Sequence, residues 1–206
     1  MGIGYILLFF IIFYLWAIPS WATFIASFYD IDILNKGSGN PGATNVFREC
    51  GKTAGVICFL LDFQKGFVPL FCFTYLMDFW GKNPLYILPY DLTCVSFLCL
   101  APILGHIFTP YLNFKGGKGV ATTAGCLCAF YPFFTFVFLF LILVFLFFAN
   151  VTRYISLASV LTALMLPVVV FLIAVAFAQL NQEEFMKFDN LSREFYFLIK
   201  HFRGPL

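Results

Sequence analysis

The sequence predicts an all-α integral membrane protein, a single membrane-embedded domain over residues 1–206 built as a bundle of about seven transmembrane helices. Hydrophobic residues make up 62% of the 206 residues and charged residues only 11%, whereas soluble domains have about 45–50% and about 25%. Four stretches contain no Asp, Glu, Lys or Arg, and each exceeds the ~20 residues that a helix needs to cross a bilayer. They are residues 1–29, 92–114, 119–152 and 154–182. Backbone at membrane depth must satisfy its own hydrogen bonds, so these stretches predict helices in a lipid bilayer.

The first two helices are expected over residues 3–24 and 53–77. A cleavable signal peptide would carry a basic residue ahead of its apolar core, but the first basic residue here is Lys36. We therefore expect the first segment to be retained as a membrane helix. The second helix contains Asp62 and Lys65, which are three residues apart and share one helical face. Opposite charges inside a membrane predict an ion pair that orders the helix.

The third to sixth helices are expected in the remaining apolar stretches. The charge-free run over residues 119–152 is too long for one crossing, and Pro132 interrupts it. It therefore predicts a short fourth helix followed by a full one. The four helices are expected over residues 86–108, 119–130, 132–149 and 157–178.

The seventh helix, expected within residues 186–205, is atypical or truncated. Its outer half carries four charges, which leaves only residues 195–199 as a clean apolar run. Charged side chains near a helix end can reach the interface, where their cost falls below the ~2.5–3.5 kcal/mol of the bilayer centre. We therefore expect a crossing that is short, tilted or loosely packed.

The distribution of Lys and Arg predicts the orientation of the chain. With the N-terminus outside, eight of these residues lie in inner loops and three in outer loops. Without Lys200 and Arg203, which count as inner only if the seventh helix exists, the numbers are six and three. Both counts predict that the inner loops face the cytoplasm.

Residues 37–48, here called loop one, contain three glycines, two hydroxyl side chains, two amides and one guanidinium. The polar members are Ser38, Asn40, Thr44, Asn45 and Arg48. Glycines allow successive backbone N–H groups to converge on an anion, and a guanidinium matches two phosphate oxygens. The composition predicts half of a phosphate site, although an ordinary connecting loop also uses Gly, Asn and Pro for its turns.

Residues 114–119, here called loop two, read Phe-Lys-Gly-Gly-Lys-Gly and precede the short fourth helix. Because a helix N-terminus binds anions, we expect Lys115, Gly116, Gly117 and Lys118 to form a second phosphate-binding element. The loop is not a nucleotide P-loop, since Gly119 stands where that motif has Ser or Thr. The alternative is two juxtamembrane lysines beside a glycine hinge.

Three further polar residues are expected near the same face. His106 is either a hydrogen-bonded packing group at a helix end or a catalytic base. Ser156 and Ser159 begin the sixth helix and are expected to point into the bundle one turn apart.

No metal, cofactor or nucleic acid is expected. The seven cysteines include no Cys-x-x-Cys pair and the chain has only two histidines, which predicts buried apolar thiols rather than metal ligands. The formal net charge of +2 is too small to indicate a nucleic-acid partner.

Four motifs occur in an order and spacing that match a known family. They are residues 38–48 (Ser-Gly-Asn-Pro-Gly-Ala-Thr-Asn-Val-Phe-Arg), residues 61–67, Gly105-His106 and residues 114–122. Through them, residues 3–159 resemble the PlsY family of acyl-phosphate-dependent glycerol-3-phosphate acyltransferases. The resemblance implies a seven-helix protein of the bacterial inner membrane that transfers an acyl group from acyl phosphate to the sn-1 hydroxyl of glycerol 3-phosphate. Its products would be lysophosphatidate and phosphate, for phospholipid synthesis.

The resemblance also implies roles for individual residues. The family's essential serine and arginine fall on Ser38 and Arg48, and its phosphate-loop glycines and lysine fall on Gly116, Gly117 and Lys118. Substrate binding is further expected from Asn40, Thr44, Asn45, Lys115 and Ser159.

The family's last motif, a His followed three residues later by Asn, is only half present. His201 is available as a catalytic residue, but position 204 is Gly. We expect either a truncated or altered C-terminus or a different alignment of this motif. The proton acceptor is accordingly open among His201, His106 and the substrate's own phosphate.

An organic-phosphate transporter is the alternative function, because glycine-rich loops and a short helix can also hold a transported anion. Transporters of that kind usually have repeated halves, whereas both loops here are predicted on one face and the sequence shows no internal repeat. An acyltransferase of the acyl-CoA type would need His-x4-Asp, and neither histidine begins that motif.

Overall fold

The computed structural model describes residues 3–76, 89–129 and 133–179, and within these ranges the regular structure is helical, with no strand. The described helices are α1 (Ile3–Ala17), α2 (Trp21–Ser27), α3 (Ala43–Glu49), α4 (Lys52–Leu76), α5 (Pro89–Ile107), α6 (Val120–Cys128), α7 (Phe133–Thr152) and α8 (Ile155–Gln179). A 3-10 turn at Pro110–Leu112 follows α5. The predicted all-α class is confirmed.

Four helical spans among the described residues are long and apolar enough to cross a membrane. They are Gly4–Ser27, Lys52–Phe73, Phe134–Thr152 and Ile155–Ile173. In the most apolar window of each span, 39% of the residues in α4 are buried, against 11% in α7 and 11% in α8. Helix α4 is therefore central in the bundle, whereas α7 and α8 leave most of the residues in these windows exposed, as is expected of side chains that face lipid. The protein is an integral membrane protein, as predicted.

The first span consists of two helices, not the continuous one expected over residues 3–24. Helix α1 ends just before Pro19, whose ring clashes with a preceding carbonyl and which has no N–H to continue the helix. Ser20 then caps α2, where its hydroxyl oxygen accepts a hydrogen bond from the backbone N–H of Thr23 at 3.5 Å. Pro19 is visible in the sequence, but the charge-free run continues on both sides of it. One continuous helix was therefore predicted.

The second to sixth predicted helices agree with α4 to α8 to within a few residues. Helix α6 has only nine residues, so the short fourth span is confirmed. Helix α3 was not predicted, and it overlaps the second half of loop one. The seventh predicted helix, over residues 186–205, lies outside the described residues.

Two helix crossings depend on glycine. A β-carbon at Gly66 of α4 would collide with the backbone of Thr122 in α6, and one at Gly125 of α6 would collide with the backbone of Phe63 in α4. Helices α4 and α6 therefore touch backbone to backbone. Helix α5 approaches α1 in the same way through Gly105. Small residues at such crossings allow the close packing that holds membrane helices together.

Candidate functional site

The side chain of Asn45, in α3, holds loop one in shape. Its Nδ2 donates hydrogen bonds to the carbonyl oxygens of Ile33 at 3.1 Å and Lys36 at 3.0 Å. Its Oδ1 accepts a hydrogen bond from the backbone N–H of Ser38 at 3.0 Å. Only 2% of Asn45 is exposed. Both N–H groups of this amide are therefore occupied by the protein itself.

Two glycines allow loop one to turn at Ser38. Gly37 and Gly39 have φ angles of +59° and +68°, in the left-handed region that residues with a β-carbon rarely adopt. A β-carbon at Gly37 would also collide with the Asn45 side chain. The turn leaves Ser38 exposed, which is the placement that a substrate-orienting hydroxyl needs.

Backbone hydrogen bonds hold loop two against the end of α5. The N–H of Phe114 donates to the carbonyl oxygen of Thr109 at 2.9 Å, and that of Gly116 donates to the carbonyl oxygen of Ile107 at 2.8 Å. Thr109 in turn donates its hydroxyl to the carbonyl oxygen of Ile18 at 2.7 Å, at the break between α1 and α2. Loop two is thus anchored to two helix ends.

A buried ionic cluster lies next to loop two. Lys65 Nζ is 3.0 Å from Asp62 Oδ1 and 3.3 Å from His106 Nδ1. His106 Nδ1 is 3.5 Å from Asp62 Oδ1, and none of the three residues is more than 6% exposed. The hydroxyl of Thr122 in α6 donates to the backbone carbonyl of Asp62 at 3.0 Å. The predicted ion pair is confirmed, and His106 extends it.

Gly117 is the point at which the two loops meet. A β-carbon at this position would collide with His106 Nε2 and would stand 3.0 Å from the carbonyl oxygen of Pro41 in loop one. A narrow crevice lies between the loops and the ionic cluster, and its walls include Pro41, Asp62, Lys65, His106, Gly116 and Gly117. Sequence reasoning placed both loops on one face but did not place Asp62 and Lys65 between them. Charged residues in an apolar span were the signal that could have done so.

Three cationic side chains predicted to bind phosphate are exposed: Arg48 in the last turn of α3, and Lys115 and Lys118 in loop two. Among the residues that the structure describes, none of the three forms an ion pair. In the same part of the chain the backbone N–H groups of Gly117 and Lys118 have no backbone partner, whereas that of Gly116 does. These free charges and donors are the groups that an anion requires.

Cys50 is the C-cap residue of α3, next to loop one. Burial, with a smaller effect of the neighbouring Glu49 carboxylate, raises the pKa of the Cys50 thiol, so the nucleophilic thiolate is disfavoured. Within the described ranges there is no group of three or more His, Cys, Asp or Glu residues that could hold a metal ion.

The remaining predicted site residues are not all gathered at the loops. Ser159 is half-buried in α8, donates its hydroxyl to the carbonyl oxygen four residues earlier at 2.9 Å, and belongs to a helix that packs mainly against α7. Ser156 is exposed, so the prediction that it points into the bundle is wrong. Asn40 and Thr44 are half-buried in loop one. His201 lies outside the described residues.

Comparison with known sequences finds one family. The family described as glycerol-3-phosphate acyltransferase matches residues 6–199. A glycerol-3-phosphate acyltransferase of Aster yellows witches'-broom phytoplasma (strain AYWB) is 41% identical over 135 residues, which are 64% of this chain and 57% of that protein. The one from Endomicrobium trichonymphae is 38% identical over 137 residues, 66% of this chain and 61% of that protein. The chain thus covers less than two thirds of the length of either relative.

Two crystal structures of PlsY, an integral membrane glycerol 3-phosphate acyltransferase, have a similar fold. The glycerol 3-phosphate form is 37% identical, with a TM-score of 0.68 over 82% of this chain and 78% of that one. The lysophosphatidic acid form is also 37% identical, with a TM-score of 0.67 over 82% of this chain and 77% of that one.

Proposed function

This chain belongs to the glycerol-3-phosphate acyltransferase family, and we propose that it transfers an acyl group from acyl phosphate to the sn-1 hydroxyl of glycerol 3-phosphate. The observation that carries the proposal is the meeting of the two loops at Gly117, beside Pro41. Two glycine-rich elements that meet near exposed cations suit a reaction between two phosphate-bearing substrates. The names of the relatives support the acceptor, and the resemblance of the motifs supports the donor and the sn-1 position.

In this proposal the phosphate groups bind the exposed cations and loop two. Arg48 and Lys118 neutralise phosphate oxygens, with Lys115 adding positive charge nearby. The free backbone N–H groups of Gly117 and Lys118 donate to the same oxygens, whereas the N–H of Gly116 is already bonded to Ile107. Gly116 contributes by having no side chain, which lets loop two pack against the backbone of His106. Preorganised donors of this kind stabilise charge that develops in a transition state.

Loop one orients the attacking alcohol. Ser38 contacts the glycerol hydroxyls, with Asn40 and Thr44 beside it, and Asn45 acts by fixing the backbone of Ser38. The glycerol oxygen attacks the acyl carbonyl carbon, and its hydroxyl proton passes to the proton acceptor, for which His201, His106 and the substrate phosphate are the candidates. The bond from the acyl carbon to the phosphate oxygen breaks, and phosphate leaves with the bonding electron pair. Because acyl phosphate is an activated mixed anhydride, the step requires neither a covalent enzyme intermediate nor a cofactor.

The protein is multi-pass in the membrane, and we assign it to a bacterial inner membrane with both loops in the cytoplasm. The excess of Lys and Arg in the loops on that side supports the orientation. The relatives from bacteria support the compartment. Water-soluble glycerol 3-phosphate would then reach the loops directly from the cytoplasm.

The test is an assay of the purified full chain in lipid vesicles with labelled glycerol 3-phosphate. Acyl phosphate is expected to give labelled 1-acyl lysophosphatidate, and acyl-CoA is expected to give none. Product from acyl-CoA alone, or a 2-acyl product, would contradict the proposed donor or position. Uptake of label into the vesicle lumen without acylation would favour the transporter instead.

A further inference from the structure

His106 lies between the buried ion pair and loop two. Its Nδ1 faces Lys65 Nζ at 3.3 Å and Asp62 Oδ1 at 3.5 Å. Its Nε2 lies on the other side, against the backbone of Gly117. Only 6% of His106 is exposed, so its two ring nitrogens are directed at protein groups rather than at bulk water.

The partners of Nδ1 determine which ring nitrogen carries the proton. An ammonium group has three donors and no acceptor, so the short contact with Lys65 requires Nδ1 to accept a hydrogen bond. Lys65 Nζ at the same time forms an ion pair with Asp62 Oδ1, at 3.0 Å. With Nδ1 as the acceptor, the neutral imidazole carries its proton on Nε2, which faces Gly117.

The charge balance of the cluster opposes a second proton on His106. Asp62 and Lys65 compensate each other, so the cluster is neutral while the imidazole is neutral. A proton on Nδ1 would lie beside the Lys65 ammonium at 3.3 Å as well as the Asp62 carboxylate at 3.5 Å. It would leave a net positive charge in a buried site, which is costly in a low-dielectric interior. His106, in these surroundings, is therefore a poor proton acceptor.

We propose that His106 is a positioning residue of the acyltransferase site and not its general base. Fixed by Lys65 through Nδ1, it uses Nε2 to set the distance between loop two at Gly117 and loop one at Pro41. This inference rests on the proposed function, because the spacing matters for two phosphate substrates held side by side. It leaves His201 and the substrate phosphate as the proton acceptors.

Two substitutions of His106 separate the roles. The side-chain nitrogen of glutamine reaches the position of Nε2, whereas that of asparagine reaches only the position of Nδ1. For His106→Asn we expect KM for glycerol 3-phosphate or acyl phosphate to rise about tenfold, the equivalent of ~1.4 kcal/mol, with kcat within about threefold. His106→Gln is expected to recover most of that loss. A general base predicts instead that both variants lose kcat by about a hundredfold or more, with KM little changed.

A second measurement does not depend on turnover. Hydrogen exchange of the full chain in vesicles reports on the backbone N–H groups of residues 114–116, which are hydrogen-bonded in the native loop. We expect exchange there to be about tenfold faster in His106→Asn than in wild type, and restored towards wild type in His106→Gln. Unchanged exchange in His106→Asn, or a folded His106→Gln without turnover, would overturn the inference. A wild-type chain without turnover would overturn the proposed function but leave the exchange comparison valid.

Discussion

The side-chain oxygen of Asn45 accepts a hydrogen bond at 3.0 Å from the backbone N–H of Ser38, seven residues earlier in the chain. One residue of α3 thus fixes the position of the exposed serine in loop one. The same side chain also donates hydrogen bonds to the carbonyl oxygens of Ile33 and Lys36. The geometry of Ser38 depends on a contact within loop one and not on a distant helix.

Replacing Asn45 is expected to disorder loop one. Asn45→Ala removes three hydrogen bonds from a buried site and should lower stability by about 1–3 kcal/mol. It should also reduce turnover, because Ser38 loses its support. Thermal unfolding in detergent and the acyl-transfer assay measure the two effects. Asn150→Ala is the control, since Asn150 makes one exposed hydrogen bond to the carbonyl oxygen of Leu146; equal effects of the two variants would refute this role.

Gly117→Ala is expected to abolish transfer while the chain still folds. The added β-carbon would collide with His106 Nε2 and press on Pro41, so the two loops must separate. Overpacking of this kind costs about 1–3 kcal/mol, which a membrane bundle can tolerate. The matched control is Gly4→Ala, because a β-carbon at Gly4 meets no atom within 4 Å. Normal turnover in Gly117→Ala would show that the contact between the loops is not needed.

We expect acyl transfer to depend on the planar shape of the Arg48 guanidinium as well as on its charge. Arg48→Ala should lower kcat/KM by about a hundredfold, the loss typical of a charge-assisted hydrogen bond. Arg48→Lys should recover only part of it, because an ammonium cannot make the two-pronged contact of a guanidinium. Lys52→Ala removes an exposed cation at the start of α4 and serves as the control for net charge. Full activity in Arg48→Lys would show that Arg48 supplies charge alone.

The orientation of the loops can be measured with single cysteines. After replacement of the reactive native cysteines, a Lys36→Cys variant is expected to react with a membrane-impermeant maleimide only after the cells are opened. A Lys82→Cys variant is expected to react in intact cells, because the distribution of Lys and Arg places that loop outside. Reaction at position 36 in intact cells would reverse the predicted topology.

The membrane helices were predictable from sequence because apolar residues dominate them. Helices α5, α7 and α8 lie almost wholly in charge-free runs, α4 lies in an apolar run that contains Asp62 and Lys65, and α6 was separated from α7 at Pro132. Lipid leaves the backbone of such runs little choice but a helix. Helix α3 was missed because Gly and Asn around it indicated only a loop, and because it is held by Asn45 contacts that reach 9 and 12 residues back. The break at Pro19 was missed because the apolar run continues through it.

The sequence predicted the two loops of the candidate site, but it did not predict that they and the ionic cluster line one crevice. Loops one and two were found from their glycines and cations, because these residue types bind anions wherever they occur. The placement of His106 beside Lys65, 41 residues apart, is a tertiary contact that neither periodicity nor composition encodes. The spacing of Asp62 and Lys65 predicted their ion pair, but it did not indicate that His106 and the two loops lie next to that pair.

The short α6 has a consequence for where the chemistry takes place. Its nine residues rise about 14 Å, less than half of a hydrocarbon core about 30 Å thick. Because α6 touches the backbone of α4 at Gly66 and Gly125, it cannot slide to another depth without a collision. We therefore expect loop two, at the start of α6, to stay at the level of the lipid headgroups. In the proposed reaction, a water-soluble glycerol phosphate and a donor whose acyl chain remains dissolved in lipid would meet there while each stays in its own phase.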